Sequence, residues 1–108
     1  MKQVNKNEIE VNGVKICYET SIKKIVKYEK IFVVLIREKK EIPNNIIAYD
    51  YLGNEIWKIN DIIKAKIPRG FYDMEKISEQ VIKVYYELGI IYEIDFVTMS
   101  ILKEIYVR

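Results

Sequence analysis

Apolar and polar residues alternate in steps of two along much of this chain, and the first clear instance is "IEVNGVKICYE". Ile9 and Val11 alternate with acidic residues, Asn12-Gly13 is the dipeptide that best tolerates the positive φ angles of a type I′ turn, and Val14, Ile16 and Tyr18 alternate on the return. A two-residue turn sets Val11 opposite Val14 and Ile9 opposite Ile16, on one face with Tyr18, while Lys15, Cys17 and Glu19 take the other.

The pattern changes at Ile31–Ile36, "IFVVLI", which is apolar at every position and rich in branched residues. That is the composition of a central strand covered on both sides. A strand over about Ile22 to Tyr28 precedes it, with a turn at Glu29-Lys30. The cluster "REKKEIPNN" ends it, because charges favour solvent and Pro43 disfavours helix in the residue before it. Next, "NIIAYDYLGNEIWKI" reads as a hairpin in which Gly53 supplies the left-handed residue of a three-residue loop. With Asp50 opposite Asn54, Tyr49 faces Glu55 and Ile47 faces Trp57, so that Ile47, Tyr49, Trp57 and Ile59 share a face.

From Asn60 to Gln80 the alternation fails. "DIIKAKI" has the length of one short helical turn ended by Pro68, "DMEKISEQ" that of another, and Arg69-Gly70 reads as a turn. Beyond it come strands over 81–86, 90–95 and 100–107, with turns at Glu87-Leu88-Gly89 and Phe96 to Met99. The expectation is an all-β protein: an antiparallel sandwich, roll or partly open barrel of about 7–9 strands, with at most short helical turns in 60–80.

Length and composition narrow the class further. The chain has 108 residues, half of them hydrophobic and 31% charged, which predicts one domain over 1–108 with a buried core. The polar start lacks a signal-peptide core and the longest apolar run is "IFVVLI", so no membrane span and a cytoplasmic location are expected. Cys17 is the sole cysteine, which excludes an intramolecular disulfide and a multi-cysteine metal site. The net charge of +2 is too small to mark a polyanion-binding protein. Its distribution is uneven, with eleven Lys or Arg against six Asp or Glu over 22–69, and four against seven over 70–108.

Ala48, Asp50, Gly53 and Trp57 stand in a pattern that resembles a blade segment of quinoprotein-type β-propellers, where a strand with Ala and Asp leads through a Gly turn into a strand bearing Trp. Setting Asp50 on Asp95 brings "IIAYDYL" onto "IYEIDFV", and this echo carries Met99 where the pattern has Gly. A closed propeller needs ~4 or more blades of four strands. The resemblance is therefore confined to a hairpin and implies no quinone cofactor. By size and composition the chain also resembles the immunity proteins of bacterial polymorphic and contact-dependent toxin systems.

Chemical inventory points away from catalysis. There is no histidine, hence no imidazole base or ligand, and the four glycines are isolated rather than gathered in a phosphate loop. The acidic pairs Asp73/Glu75 and Glu93/Asp95 have the i, i+2 spacing common on solvated strand faces. A lone thiol between Lys15 and Glu19 lacks a base. The expected function is a non-enzymatic protein-binding module, without cofactor or metal, of the immunity or inhibitor kind and facing a toxin or enzyme partner. Its expected contact surface is a loop carrying Phe71, Tyr72, Asp73, Glu75 and Glu79. The alternative is a nucleic-acid-binding sheet, built on Lys23, Lys24, Lys27, Lys30, Arg37, Lys39 and Lys40 with nine tyrosines as stacking surfaces.

Overall fold

The computed structural model describes residues 1–39, 44–64 and 69–107. Its strands are β1 (Lys2–Asn5), β2 (Glu8–Val11), β3 (Val14–Cys17), β4 (Ile22–Lys27), β5 (Ile31–Ile36), β6 (Ile46–Asp50), β7 (Glu55–Lys58), β8 (Phe71–Lys76), β9 (Val81–Tyr86), β10 (Ile90–Asp95) and β11 (Ser100–Tyr106). A 3₁₀ turn at Ile59–Asp61 follows β7. Hydrogen bonding joins sequence neighbours into three antiparallel sheets, β1-β2-β3, β4-β5-β6-β7 and β11-β10-β9-β8. The all-β class expected from the alternation is the class observed, as open stacked sheets rather than a closed barrel. Among the described residues no helix is long and apolar enough to cross a membrane.

β5 sets the layering. Val33 and Leu35 point to one side, where they join Val26, Ala48, Trp57 and Ile59 and pack against Phe71, Met74, Ile82, Val84 and Ile94 of the third sheet. Phe32, Val34 and Ile36 point to the other, where with Ile47 and Tyr49 they meet Ile9 and Val11 of the first sheet. A strand apolar on both faces is stable only between two covers, and the small β1–β3 sheet supplies the second one. Tyr18 and Tyr49 hydroxyls, 2.8 Å apart, tie those two layers together.

The β2–β3 hairpin follows its expected register, with Ile9 opposite Ile16 and Val11 opposite Val14. Asn12 and Gly13 both have positive φ, 49° and 77°. The β6–β7 hairpin departs from expectation in one respect. Tyr49 does pair with Glu55, but Ala48, not Ile47, pairs with Trp57, because the register shifts between Ala48 and Tyr49. Ile56 is the extra residue of this bulge and lies half exposed. One inserted residue reverses the face of everything beyond it, so Trp57 and Ile59 face the third sheet while Ile47 and Tyr49 face the first.

Two strands arise where none was expected. β1 is short and exposed, held by pairing to β2. β8 replaces both the contact loop and the helical turn read into "FYDMEKISEQ": Phe71–Lys76 pairs with β9 along its length. Residues this polar become a strand only because β9 offers a ladder of backbone partners, a non-local effect that the local pattern does not carry. The helical turn read into "DIIKAKI" falls partly on 65–68, outside the described residues, as do Lys40 and Pro43.

A polar clasp fixes where β8 begins. Asn45, fully buried, donates through Nδ2 to the carbonyls of Ile36 (3.0 Å) and Phe71 (2.6 Å), and its Oδ1 accepts from the Phe71 N–H (2.9 Å). The next N–H, that of Gly70, donates to Glu38 Oε2 at 2.8 Å. A Cβ on Gly70 would lie 2.6 Å from the Glu38 Cβ, so only glycine fits this approach.

Asp50 and Asp95 occupy equivalent places, each ending the third strand of a four-stranded meander. The Asp50 carboxylate accepts from the Asn54 amide (3.0 Å) and the N–H groups of Asn54 (2.9 Å) and Leu52 (3.0 Å). Asp95 accepts from the N–H groups of Thr98 (3.0 Å) and Val97 (2.9 Å) and from Gln80 Nε2 (2.6 Å). The echo between "IIAYDYL" and "IYEIDFV" thus marks the same hairpin in two sheets. Gly53 has φ +95°, and Met99 adopts φ +58° in the second turn.

Three outcomes follow from these contacts. Asn45→Ala strips partners from three buried backbone groups and should lower stability by about 2–4 kcal/mol in urea unfolding. Met99→Gly removes a left-handed non-glycine residue that is 41% exposed, and should raise stability by about 0.5–1 kcal/mol. The pKa of Asp50 is depressed, chiefly by the Asn54 side chain and backbone, and that of Asp95 chiefly by the Thr98 N–H and the Gln80 amide. With folded values below unfolded ones, their stabilisation is present above the ordinary carboxylate range of about 4 and is lost as pH falls through the depressed values. Asp50→Asn and Asp95→Asn should each flatten the acid limb of a stability–pH curve, and an unchanged slope would count against these hydrogen bonds.

Candidate binding face and end groove

The central sheet is covered on both sides, but the third sheet presents its second face to solvent. Alternation along β9–β11 decides what lies there. Ile82, Val84, Tyr86, Tyr92 and Ile94 point into the core, leaving Lys83, Tyr85, Ile91 and Glu93 on the outside. On β11 the residues paired with the last two, Ile105 and Lys103, continue that outer face.

Register arranges these side chains in two rows. Tyr85 pairs with Ile91 and Ile91 with Ile105, and the Tyr72 ring lies 5.8 Å from that of Tyr85, so an apolar row runs across all four strands. Beside it, Glu75 pairs with Lys83, Lys83 with Glu93 and Glu93 with Lys103, giving a row of alternating sign. Lys103 and Glu93 approach to 3.8 Å, and Lys83 Nζ sits 5.5 Å from the centre of the Tyr85 ring. None of these residues belongs to either buried apolar cluster. On β11, which pairs only with β10, Ile105 continues this face, while Ile101 and Tyr106, paired with Ile94 and Ile90, are exposed on the opposite one.

The residues expected to make a contact surface divide among three settings. Phe71 is 1% exposed and belongs to the core, which corrects its place in that surface. A strand must send alternate side chains to opposite faces, whereas the expected loop need not. Tyr72, Asp73 and Glu75 are on or beside the open face, Asp73 bound to Lys24 at 3.3 Å. Glu79 lies elsewhere, at the β8–β9 turn, 3.6 Å from Lys76. Sequence reasoning missed Tyr85, Ile91 and Ile105. Their signal was present, since each stands two residues from a charged residue, Lys83, Glu93 or Lys103, that marks the outward parity of its strand.

Some of the basic and aromatic residues of the nucleic-acid alternative are already engaged: three of the seven cations have partners within the protein, and four of the nine tyrosines are buried. Lys23 Nζ donates to the Tyr72 carbonyl (3.1 Å) and Lys24 Nζ to that of Met74 (2.6 Å), capping the free edge of β8. Lys39 pairs with Glu19 at 3.2 Å. Tyr28, Tyr49, Tyr86 and Tyr92 are buried. The Cys17 thiol donates to Glu8 Oε2 at 2.7 Å, and this bond outweighs Lys15 and pushes its pKa up, away from a reactive thiolate.

A second feature opens at the turn end between the two larger sheets, a groove of about 400 Å³. Tyr28, Trp57 and Phe96 form its aromatic wall, with Tyr28 and Phe96 edge to face at 4.8 Å and Trp57 and Phe96 at 6.0 Å. Ile31, Ile56 and Val97 complete the apolar lining, and Glu29, Lys30 and Glu79 stand at the polar rim. Tyr28 donates its hydroxyl to the Val81 carbonyl at 3.0 Å, and Lys76 Nζ covers its ring at 4.6 Å. Burial, reinforced by Glu79, pushes the Tyr28 pKa up to about 12, so the wall is neutral at physiological pH. Trp57 is 2% exposed, and its Nε1–H finds no acceptor among the described residues. A buried donor left without a partner costs about 1–3 kcal/mol.

Comparison with known proteins places this geometry in a family without adding an activity. The model of the family described as "Domain of unknown function (DUF7957)" matches residues 1–106. No curated protein and no solved structure matches.

Proposed function

The chain belongs to that family over nearly its whole length, and from this premise we propose that it is a non-enzymatic binding module whose open β8–β11 face docks another protein and restrains that partner's activity. The observation that carries the reading is the apolar row Tyr72–Tyr85–Ile91–Ile105 lying outside both cores beside a charge-balanced row. An apolar centre containing tyrosine, edged by paired charges, is the composition of a protein–protein contact. A nucleic-acid surface would need unpaired positive charge instead, and Glu75 and Glu93 offset Lys83 and Lys103 here.

The partner is a different chain rather than a second copy. Full antiparallel overlap of two β11 strands would put the two-fold axis at Lys103, the middle of Ser100–Tyr106, and set two ammonium groups opposite one another. An inhibitory role in the manner of an immunity protein agrees with the size and composition of the chain.

Purification from the native host tests this, with the co-purifying protein then isolated and its affinity measured by calorimetry. Tyr85→Ala and Ile105→Lys should each weaken that affinity at least about tenfold, as loss of a central contact does. Thermal midpoints should stay within a few degrees of the parent, because neither residue belongs to a core cluster. Retention of the partner by both variants would sink the proposal. So would a sedimentation profile showing a homodimer dispersed by Ile105→Lys, or a bound nucleic acid released by salt.

A further inference from the structure

We propose that the partner docks by strand addition: an extended segment of it pairs antiparallel with the free edge of β11, setting an apolar residue opposite Ile105 and an acidic one opposite Lys103. This rests on the docking reading for the partner and the face, and adds the mode of contact and the residues that select it.

Backbone parity along β11 decides which groups are free. The Val107 N–H donates to the Gly89 carbonyl at 2.7 Å, so Val107 turns its backbone toward β10. Successive residues of a strand turn theirs to opposite sides. Ile105 and Lys103, paired with Ile91 and Glu93, therefore also face β10, while Glu104 and Tyr106 direct their N–H and C=O groups to the open edge. The register shift between Glu93 and Ile94 leaves Leu102 as an extra residue and ends this run. The opposite edge of the sheet offers no such ladder, because Lys23 and Lys24 already take the Tyr72 and Met74 carbonyls of β8.

Side chains decide what belongs opposite. The apolar row Tyr72–Tyr85–Ile91–Ile105 and the charged row Glu75–Lys83–Glu93–Lys103 both end on β11, and an added strand continues both. Lys103 has the Glu93 carboxylate on its β10 side, at 3.8 Å. An acidic residue on the added strand supplies the same on the other side, whereas a lysine there is repelled, as a second copy of this chain would be. Ile105 and Lys103 make non-hydrogen-bonded pairs with such a strand, the kind in which side chains come closest. Glu104, whose carboxylate accepts from the Tyr106 hydroxyl at 2.9 Å, excludes only another acid opposite it. Read along an antiparallel strand, the order is apolar, non-acidic, acidic.

The probe is the blocked peptide acetyl-Lys-Thr-Val-Thr-Val-Thr-Glu-Thr-Lys-amide, in which the second valine meets Ile105 and the glutamate meets Lys103. In proton–nitrogen correlation spectra of the full chain it should move the Glu104 and Tyr106 amides downfield and saturably and slow their exchange with solvent. Shifts at Lys103 and Ile105, whose N–H groups already face β10, should be smaller. Replacing the peptide's glutamate by lysine should weaken binding about fivefold, and Lys103→Glu, at an exposed position, should reverse that preference. N-methylation of the threonine between the valines removes a ladder donor and leaves every side chain in place; it should weaken binding about tenfold.

Glu104 and Tyr106 amides that stay fixed up to the solubility of the peptide would overturn the proposal, as would a preference that Lys103→Glu leaves unreversed. A homodimer that protects the same two amides would also overturn it. The co-purified protein separates this inference from the docking reading. If Tyr85→Ala releases it, yet in its complex the Glu104 and Tyr106 amides exchange as in the free chain, the face is right and strand addition is wrong. If no protein co-purifies while the peptide behaves as described, the docking reading fails and β11 stands as a strand-accepting edge.

Discussion

Everything in this fold depends on β5 being apolar on both faces. Phe32, Val34 and Ile36 need one cover while Val33 and Leu35 need another, and a sheet containing such a strand cannot stand at the outside of a protein. The β1–β3 hairpin sheet and the β8–β11 meander meet that demand from opposite sides. Three layers have two outer faces, and the larger of these belongs to β8–β11. The open face is therefore a consequence of how much apolar surface the middle of the chain carries.

The third layer is held by polar contacts as well as by apolar burial. Asn45 reaches from the start of β6 to both backbone groups of Phe71, Glu38 takes the adjacent Gly70 N–H, and Lys23 and Lys24 reach from β4 to the carbonyls of β8. The buried Asn45 and Phe71 groups would be costly to leave unpaired, whereas the two lysines stay at the surface. Together these contacts fix the start of β8 and occupy its free edge. At the other end of the same sheet no comparable cap meets β11 among the described residues, and that asymmetry directs the docking reading toward β11 and the rows beside it.

On the open face, alternating charges beside an apolar row favour a partner whose surface is also mixed, and they work against a polyanion. Twelve tyrosines and phenylalanines stand in this chain; Phe32, Phe71, Tyr28, Tyr49, Tyr86 and Tyr92 are buried, while Tyr72 and Tyr85 stand on the open face.

Much of the fold was legible because hairpins are local. Asn12-Gly13 dictates its turn and register, the apolar run Ile31–Ile36 announces a strand with two covers, and the alternation from Val81 onward marks β9, β10 and β11 almost to the residue. The sequence alone also placed Asp50 and Asp95 at corresponding turns. What it left undecided depends on partners distant in the chain. Phe71–Lys76 is a strand because β9 lies beside it, and Trp57 faces the third sheet because the bulge at Ile56 reverses parity within β7. The site was only half legible for the same reason. Tyr72 and Glu75 could be named from composition, but Tyr85, Ile91 and Ile105 become a surface only when three strands align them. Alternation tells which residues share a face of one strand; only stacking of the sheets decides which face is left to solvent.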